Sequence, residues 1–158
     1  MKQLLKLLEK DAHVTPEELA LMCEKETGDI KAMIDDCEKR GIILGYTTVI
    51  DWDKTDTEYV NALIELKVTP RVGSGYDEIA ERIYNYPEVE SVYLMSGGYD
   101  LTVMLRGKTM REVAIFVAAK LATIEAVTST ATHFVLRKYK DHNVIFGGAP
   151  IDERGNVL

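Results

Sequence analysis

The sequence predicts an α+β chain in two parts, and two observations carry that reading. The first fifty residues show a helical hydrophobic period three times over. Residues 59–140 then pass through strand, helix, strand, strand, helix and strand patterns in turn. Between them residues 51–58 have mixed charge and no period, which marks a linker, and residues 141–158 form a Gly-rich, largely polar tail. The expected division is therefore 1–50, 51–58, 59–140 and 141–158.

The first helix is expected over residues 2–12, where Leu4, Leu5, Leu8 and Ala12 make one stripe and Lys2, Lys6 and Lys10 lie elsewhere. Thr15, Pro16 and Glu18 start the second: Thr as N-cap, Pro where a missing N–H is harmless, and Glu18 to close a capping box. Leu19, Ala20 and Cys23 form its inner face. After a polar break at residues 24–28, a third helix carries Ile30, Met33, Ile34 and Cys37 at i, i+3, i+4, i+7 and ends at Gly41. Residues 42–50 are β-branched and aromatic, so one or two short strands should follow. Three short helices and a β-wing predict a winged helix-turn-helix, in which the third helix can lie in a major groove.

In the second part, Val60, Ala62, Ile64, Leu66 and Val68 alternate with Asn61, Leu63, Glu65 and Lys67 in a strand ended by Pro70. Residues 71–75 hold Gly73 and Gly75 without the lysine of a phosphate loop, and a plain loop is expected. Tyr76, Ile79, Ala80 and Ile83 mark a helix stopped by Pro87. Residues 91–105 read as a β-hairpin pivoting on Gly97 and Gly98, whose tolerance of positive φ suits a two-residue primed turn. Thr109 and Glu112 open a further helix by a capping box, with Val113, Phe116, Val117, Leu121 and Ile124 on one face. Residues 127–139 are the last strand. The order βαββαβ predicts a ferredoxin-like antiparallel sheet with both helices on one face. The alternate positions of the hairpin strands are also substantially apolar, so the second face should be buried against another copy of the chain.

Composition narrows the function. The chain has 158 residues and a net charge of −7, which opposes non-specific attraction to nucleic acid over the whole molecule. No apolar run approaches the ~20 residues of a membrane span, and a cytoplasmic protein is expected. Cys23 and Cys37 have no pairing or ligand spacing and fit the core of a protein in a reducing compartment. His13, His133 and His142 fall in different elements without metal-ligand spacing, and there is no nucleophile elbow. No catalytic residues, metal or cofactor are therefore assigned, and the chain reads as a non-enzyme.

Three stretches make the chain resemble the Lrp/AsnC (feast/famine) transcription regulators. They are residues 41–46 (Gly-Ile-Ile-Leu-Gly-Tyr), residues 92–101 (Val-Tyr-Leu-Met-Ser-Gly-Gly-Tyr-Asp-Leu) and residues 132–136 (Thr-His-Phe-Val-Leu). The resemblance spans nearly the whole chain. It implies an N-terminal DNA-binding unit for double-stranded DNA and a C-terminal effector-sensing domain. It also implies a homodimer assembling to tetramers or octamers, with an amino acid or similar small molecule bound between dimers. The effector crevice would be lined by Ser96, Gly97, Gly98, Tyr99 and Asp100, with Thr130 and Thr132 from the last strand. Two glycines would let a ligand carboxylate approach backbone N–H groups while Asp100 accepts from an α-ammonium; a turn stabilised by a local Asx-type bond is the alternative for the same residues. The DNA-facing residues would be Thr27, Lys31, Lys39 and Arg40.

One departure from the family pattern lies in the third helix. Glu26 stands where a Ser is usual, and Ala32, Met33, Asp35 and Asp36 stand where Arg is frequent. Over residues 27–40, Lys31, Lys39 and Arg40 face Asp29, Asp35, Asp36 and Glu38, a net charge of −1. Phosphate contacts dominate DNA affinity. An effector-binding oligomeric module with weak or lost DNA binding is thus the second reading beside a sequence-specific, effector-responsive regulator.

Overall fold

The computed structural model describes residues 1–70 and 75–146. The chain forms two compact units: Met1–Ile50 with Lys140–Ile145, and Asp51–Tyr139 with Phe146. The expected loop at residues 71–75 and the tail beyond residue 146 fall largely outside the described residues.

In the first unit α1 (Lys2–Lys10), α2 (Pro16–Cys23) and α3 (Thr27–Lys39) close around Leu4, Leu19, Ala20 and Ile30. Leu7, Leu8, Val14, Cys23, Met33 and Ile34 pack against that cluster. α1 stops at Lys10, so Ala12 lies beyond the helix and is exposed, contrary to the stripe read from sequence. α2 opens with the full capping box, Thr15 and Glu18 each accepting from the other's backbone N–H. The turn to α3 is shorter than the polar break suggested, because Gly28 already belongs to the helix. α3 ends in a Schellman arrangement: Gly41 takes φ +65, its N–H reaches the Glu38 carbonyl, and the Ile42 N–H reaches that of Cys37.

The wing expected over residues 42–50 does not form as paired strands. Strand propensity supplies no partner, and a lone segment has no ladder to join; Leu44, at 92% exposure, packs on nothing that would hold one. The paired strands of this unit are instead β5 (Lys140–Asp141) and β6 (Val144–Ile145). His142 and Asn143 between them both have positive φ, the signature of a two-residue primed turn.

The second unit has β1 (Val60–Val68), α4 (Asp77–Tyr84), β2 (Val89–Leu94), β3 (Leu101–Gly107), α5 (Met110–Phe116) and β4 (Val127–Phe134). The strands pair in the order β2-β3-β1-β4, all antiparallel, which is the ferredoxin-like sheet the sequence predicted. Its covered face presents Ala62, Ile64, Leu66, Val68, Leu101, Val103 and Leu105 to Ile79 and Ile83 of α4 and to Val113 and Phe116 of α5.

Several boundaries differ from the sequence reading. α5 passes after Phe116 into a single π-helical turn, Val117–Leu121, which keeps Val117 and Leu121 in the core. Glu112 accepts from the Lys108 N–H, not from Thr109, so only half of a capping box forms there. β4 ends at Phe134, short of the expected residue 139. Residues 51–58 are not featureless, since Trp52–Lys54 form a 3-10 turn. The open face is only partly apolar: Leu63, Met104, Tyr93 and Ala131 alternate with Glu65, Thr102 and His133, and Glu65 and His133 pair at 3.0 Å.

At the end of β3, a Cβ on Gly107 would stand 2.9 Å from Cγ2 of Val113. Val113 is buried and β-branched, so it has little room to move. Gly107→Ala should therefore destabilise this unit by about 1–3 kcal/mol, read as a lower urea midpoint with an unchanged slope.

Candidate functional site

The β2–β3 connection is longer than the two-residue turn expected. Leu94 pairs with Leu101, and residues 95–100 form the loop between them, closed by a 2.8 Å bond from the Met95 N–H to the Asp100 carbonyl. Only Gly97 takes positive φ, at +151. Ser96, Gly97 and Gly98 are exposed and Tyr99 and Asp100 half-buried. A Cβ on either glycine would meet nothing within 4 Å, so the backbone here is open to an approaching ligand.

Asp100 makes a connection that neither sequence reading anticipated. Its backbone N–H donates to the Leu66 carbonyl at 3.0 Å, and its carboxylate Oδ2 accepts from the Val68 N–H at 2.8 Å. β3 begins only at Leu101, opposite Leu66, so the Val68 amide has no strand carbonyl facing it, and the carboxylate supplies the acceptor. The bond is long-range, not a local Asx turn. It pins one end of the loop to the central strand and leaves Oδ1 for other work.

Thr130 and Thr132 lie opposite Leu66 and Ile64, which places them on the helix-covered face at the β4 edge. Thr130 shares the cross-sheet row Leu94, Leu101, Leu66, two strands and about 10 Å from the loop's end. Thr132 sits one row further from the loop and is exposed. The structure thus brings Ser96 to Asp100 together and leaves the two threonines apart from them.

On α3 the cations are taken. Lys39 pairs with Asp35, Arg40 with Asp36 at 2.9 Å, and Lys31 with Glu17 of α2 at 3.3 Å. The bond to Asp35 raises the Lys39 pKa, while a backbone hydrogen bond and then Lys31 lower that of Glu17. Glu38 accepts from the Tyr46 hydroxyl at 2.8 Å, which pushes the phenol pKa up. Thr27 is the first residue of the helix, and Glu26 before it makes no side-chain cap. The i,i+4 spacing of Asp35–Lys39 and Asp36–Arg40 was readable from sequence as intrahelical pairing. The Lys31–Glu17 contact, between helices, was not.

Among the described residues no group of three or more His, Cys, Asp or Glu side chains is placed to hold a metal ion. No helix there is long and apolar enough to cross a membrane.

Residues 61–145 match the model of one family, described as the Lrp/AsnC ligand binding domain. The chain is 46% identical over 153 residues to the uncharacterized HTH-type transcriptional regulator YugG of Bacillus subtilis, covering 96% of this chain and 92% of that protein. It is 28% identical over 140 residues to the HTH-type transcriptional regulator FL11 of Pyrococcus furiosus, covering 89% of each. Among solved structures it is similar to the complex of transcriptional regulator NMB0573 with L-Met from Neisseria meningitidis. The TM-score there is 0.71 at 19% identity, covering 88% of this chain and 89% of that one, a likeness of fold.

The Asp100 anchor makes a prediction that separates its carbonyl-like role from its charge. Asp100→Ala leaves the Val68 amide without its acceptor and should lower unfolding stability by about 1–3 kcal/mol. Asp100→Asn keeps an acceptor oxygen and should retain most of that stability in the same urea titration.

Proposed function

The chain belongs to the Lrp/AsnC family of transcription regulators, and on that premise we propose that it binds DNA through its N-terminal helices and answers to an amino acid or similar small molecule at the 95–100 loop. The observation that carries this reading is the loop itself, two exposed glycines with open backbone beside an anchored carboxylate. A ligand carboxylate would take the N–H groups at Gly97 and Gly98, and Asp100 Oδ1 would accept from the α-ammonium. The NMB0573 complex with L-Met supports an amino acid as the ligand class, since that protein shares the fold.

A second copy of the chain covers the open sheet face in this reading, seating on Leu63, Met104 and Tyr93, with tetramers or octamers built from such dimers. An effector acts by binding one arrangement better than another.

The pairing of Lys31, Lys39 and Arg40 with acids favours a specific second reading, an effector-binding oligomer with weak DNA affinity. Fluorescence anisotropy on DNA from its own upstream region, over a range of salt, separates the two. If α3 meets phosphate, the double variant Asp35→Asn, Asp36→Asn frees two cations. It should tighten binding and steepen the log–log salt slope by about 0.9 for each cation engaged. Absence of binding at low salt, by wild type and variant alike, would leave the second reading.

The effector side has its own measurement. An amino acid at roughly 100 times its Kd should add about 2.7 kcal/mol to unfolding stability. Asp100→Asn, folded but uncharged, should lose most of that gain; an equal gain in both proteins would place the site elsewhere.

A further inference from the structure

The Arg106 side chain of β3 touches the segment that leads into β1. Residues 51–55 make a braced turn: the Lys54 N–H donates to the Asp51 carbonyl, the Thr55 N–H and hydroxyl both donate to the Trp52 carbonyl, and Lys54 pairs with Asp51 at 2.9 Å. That turn sets the Trp52 ring edge-on to Tyr59, with centroids 5.1 Å apart and planes at 86°. The Arg106 guanidinium lies against both rings, 6.0 Å from Trp52 and 5.0 Å from Tyr59, and its Nη2 meets Glu90 Oε1 at 2.5 Å.

Glu90 belongs to β2 and Arg106 to β3. The two sit at the open end of the hairpin whose closed end is the 95–100 loop, five residues or about 17 Å along β3 from Leu101. Arg106 Nε is buried with no partner among the described residues, as is Oδ1 of the cross-strand neighbour Asn61. A contact whose guanidinium keeps an orphaned N–H is weaker than its rings and ion pair alone would make it, so it can open without unfolding the sheet.

We propose that Arg106 is a positioning residue for signalling: it latches the interdomain linker, through Trp52 and Tyr59, to the open end of the hairpin that carries the effector loop. Movement of the hairpin on ligand binding then reaches the linker through Glu90 and Arg106. This role rests on the reading of the 95–100 loop as the effector site, whereas the latch itself does not.

Trp52 is the one tryptophan in the chain, so its emission reports the latch in the intact protein. Arg106→Ala should shift that emission to the red, raise its quenching by acrylamide and speed tryptic cleavage after Lys54 by about tenfold, as expected for losing a half-buried cation–π contact. Arg106→Lys keeps a charge for Glu90 but lacks the planar guanidinium, and should show most of the same change. Emission and cleavage equal to wild type would overturn the latch. Should Arg106→Ala lose its far-UV dichroism, Arg106→Lys and Glu90→Gln decide the matter by the same readouts. For the signalling role, the twenty protein amino acids are supplied singly. The one that raises the wild-type melting temperature should move Trp52 emission toward that of Arg106→Ala. Stabilisation with unmoved emission would overturn the role. If none stabilises, the reading of a protein amino acid as the effector fails and its signalling through Arg106 with it, while the ligand-free comparison still decides the latch.

Discussion

The bond from the Val68 amide to the Asp100 carboxylate is where the order of the C-terminal unit and its candidate chemistry meet. β1 is one of the two inner strands, flanked by β3 and β4, and its partners give out unevenly at its end. On one side the ladder with β4 shifts register between Lys67 and Val68. On the other, β3 has not begun. A buried amide there would be left without an acceptor, a penalty comparable to a lost hydrogen bond. One carboxylate oxygen removes it and fixes the last residue of the loop, so Gly97 and Gly98 can stay open without the loop losing its place.

Charge on α3 follows a similar economy of partners. Each of the three cations that would meet phosphate finds an acid within the same unit, two of them one turn back on the same helix. Exposed pairs of this kind contribute little stability, so they are easily exchanged for phosphate contacts, but the acids stay in place and repel. On α3 the positive charge of Lys39 and Arg40 is therefore offset locally by Asp35 and Asp36.

The legible parts of the fold were those with a period or a cap. Leu4, Leu19 and Ile30 fell at helical spacing and are buried; Ala62, Ile64 and Leu66 fell at strand spacing and face the helices. The Thr15–Glu18 box started its helix where it stood. The misreadings came where a residue's partner lies far along the chain or does not exist. Residues 42–50 have strand propensity and no strand to pair with. Gly97 and Gly98 looked like a tight turn, yet the tight primed turn belongs to His142 and Asn143, whose sequence advertises it less.

By itself the sequence determined the βαββαβ order, the helix-covered face and the family, because hydrophobic period and capping are local patterns written in adjacent residues. Tertiary structure alone decided what Asp100 bonds to, how far Thr130 and Thr132 stand from the loop, and that Lys31 faces Glu17. It alone gathered Trp52, Tyr59, Glu90 and Arg106 into one cluster. Those contacts join residues from different strands and helices. Their existence depends on register and packing direction, which no single stretch of chain encodes.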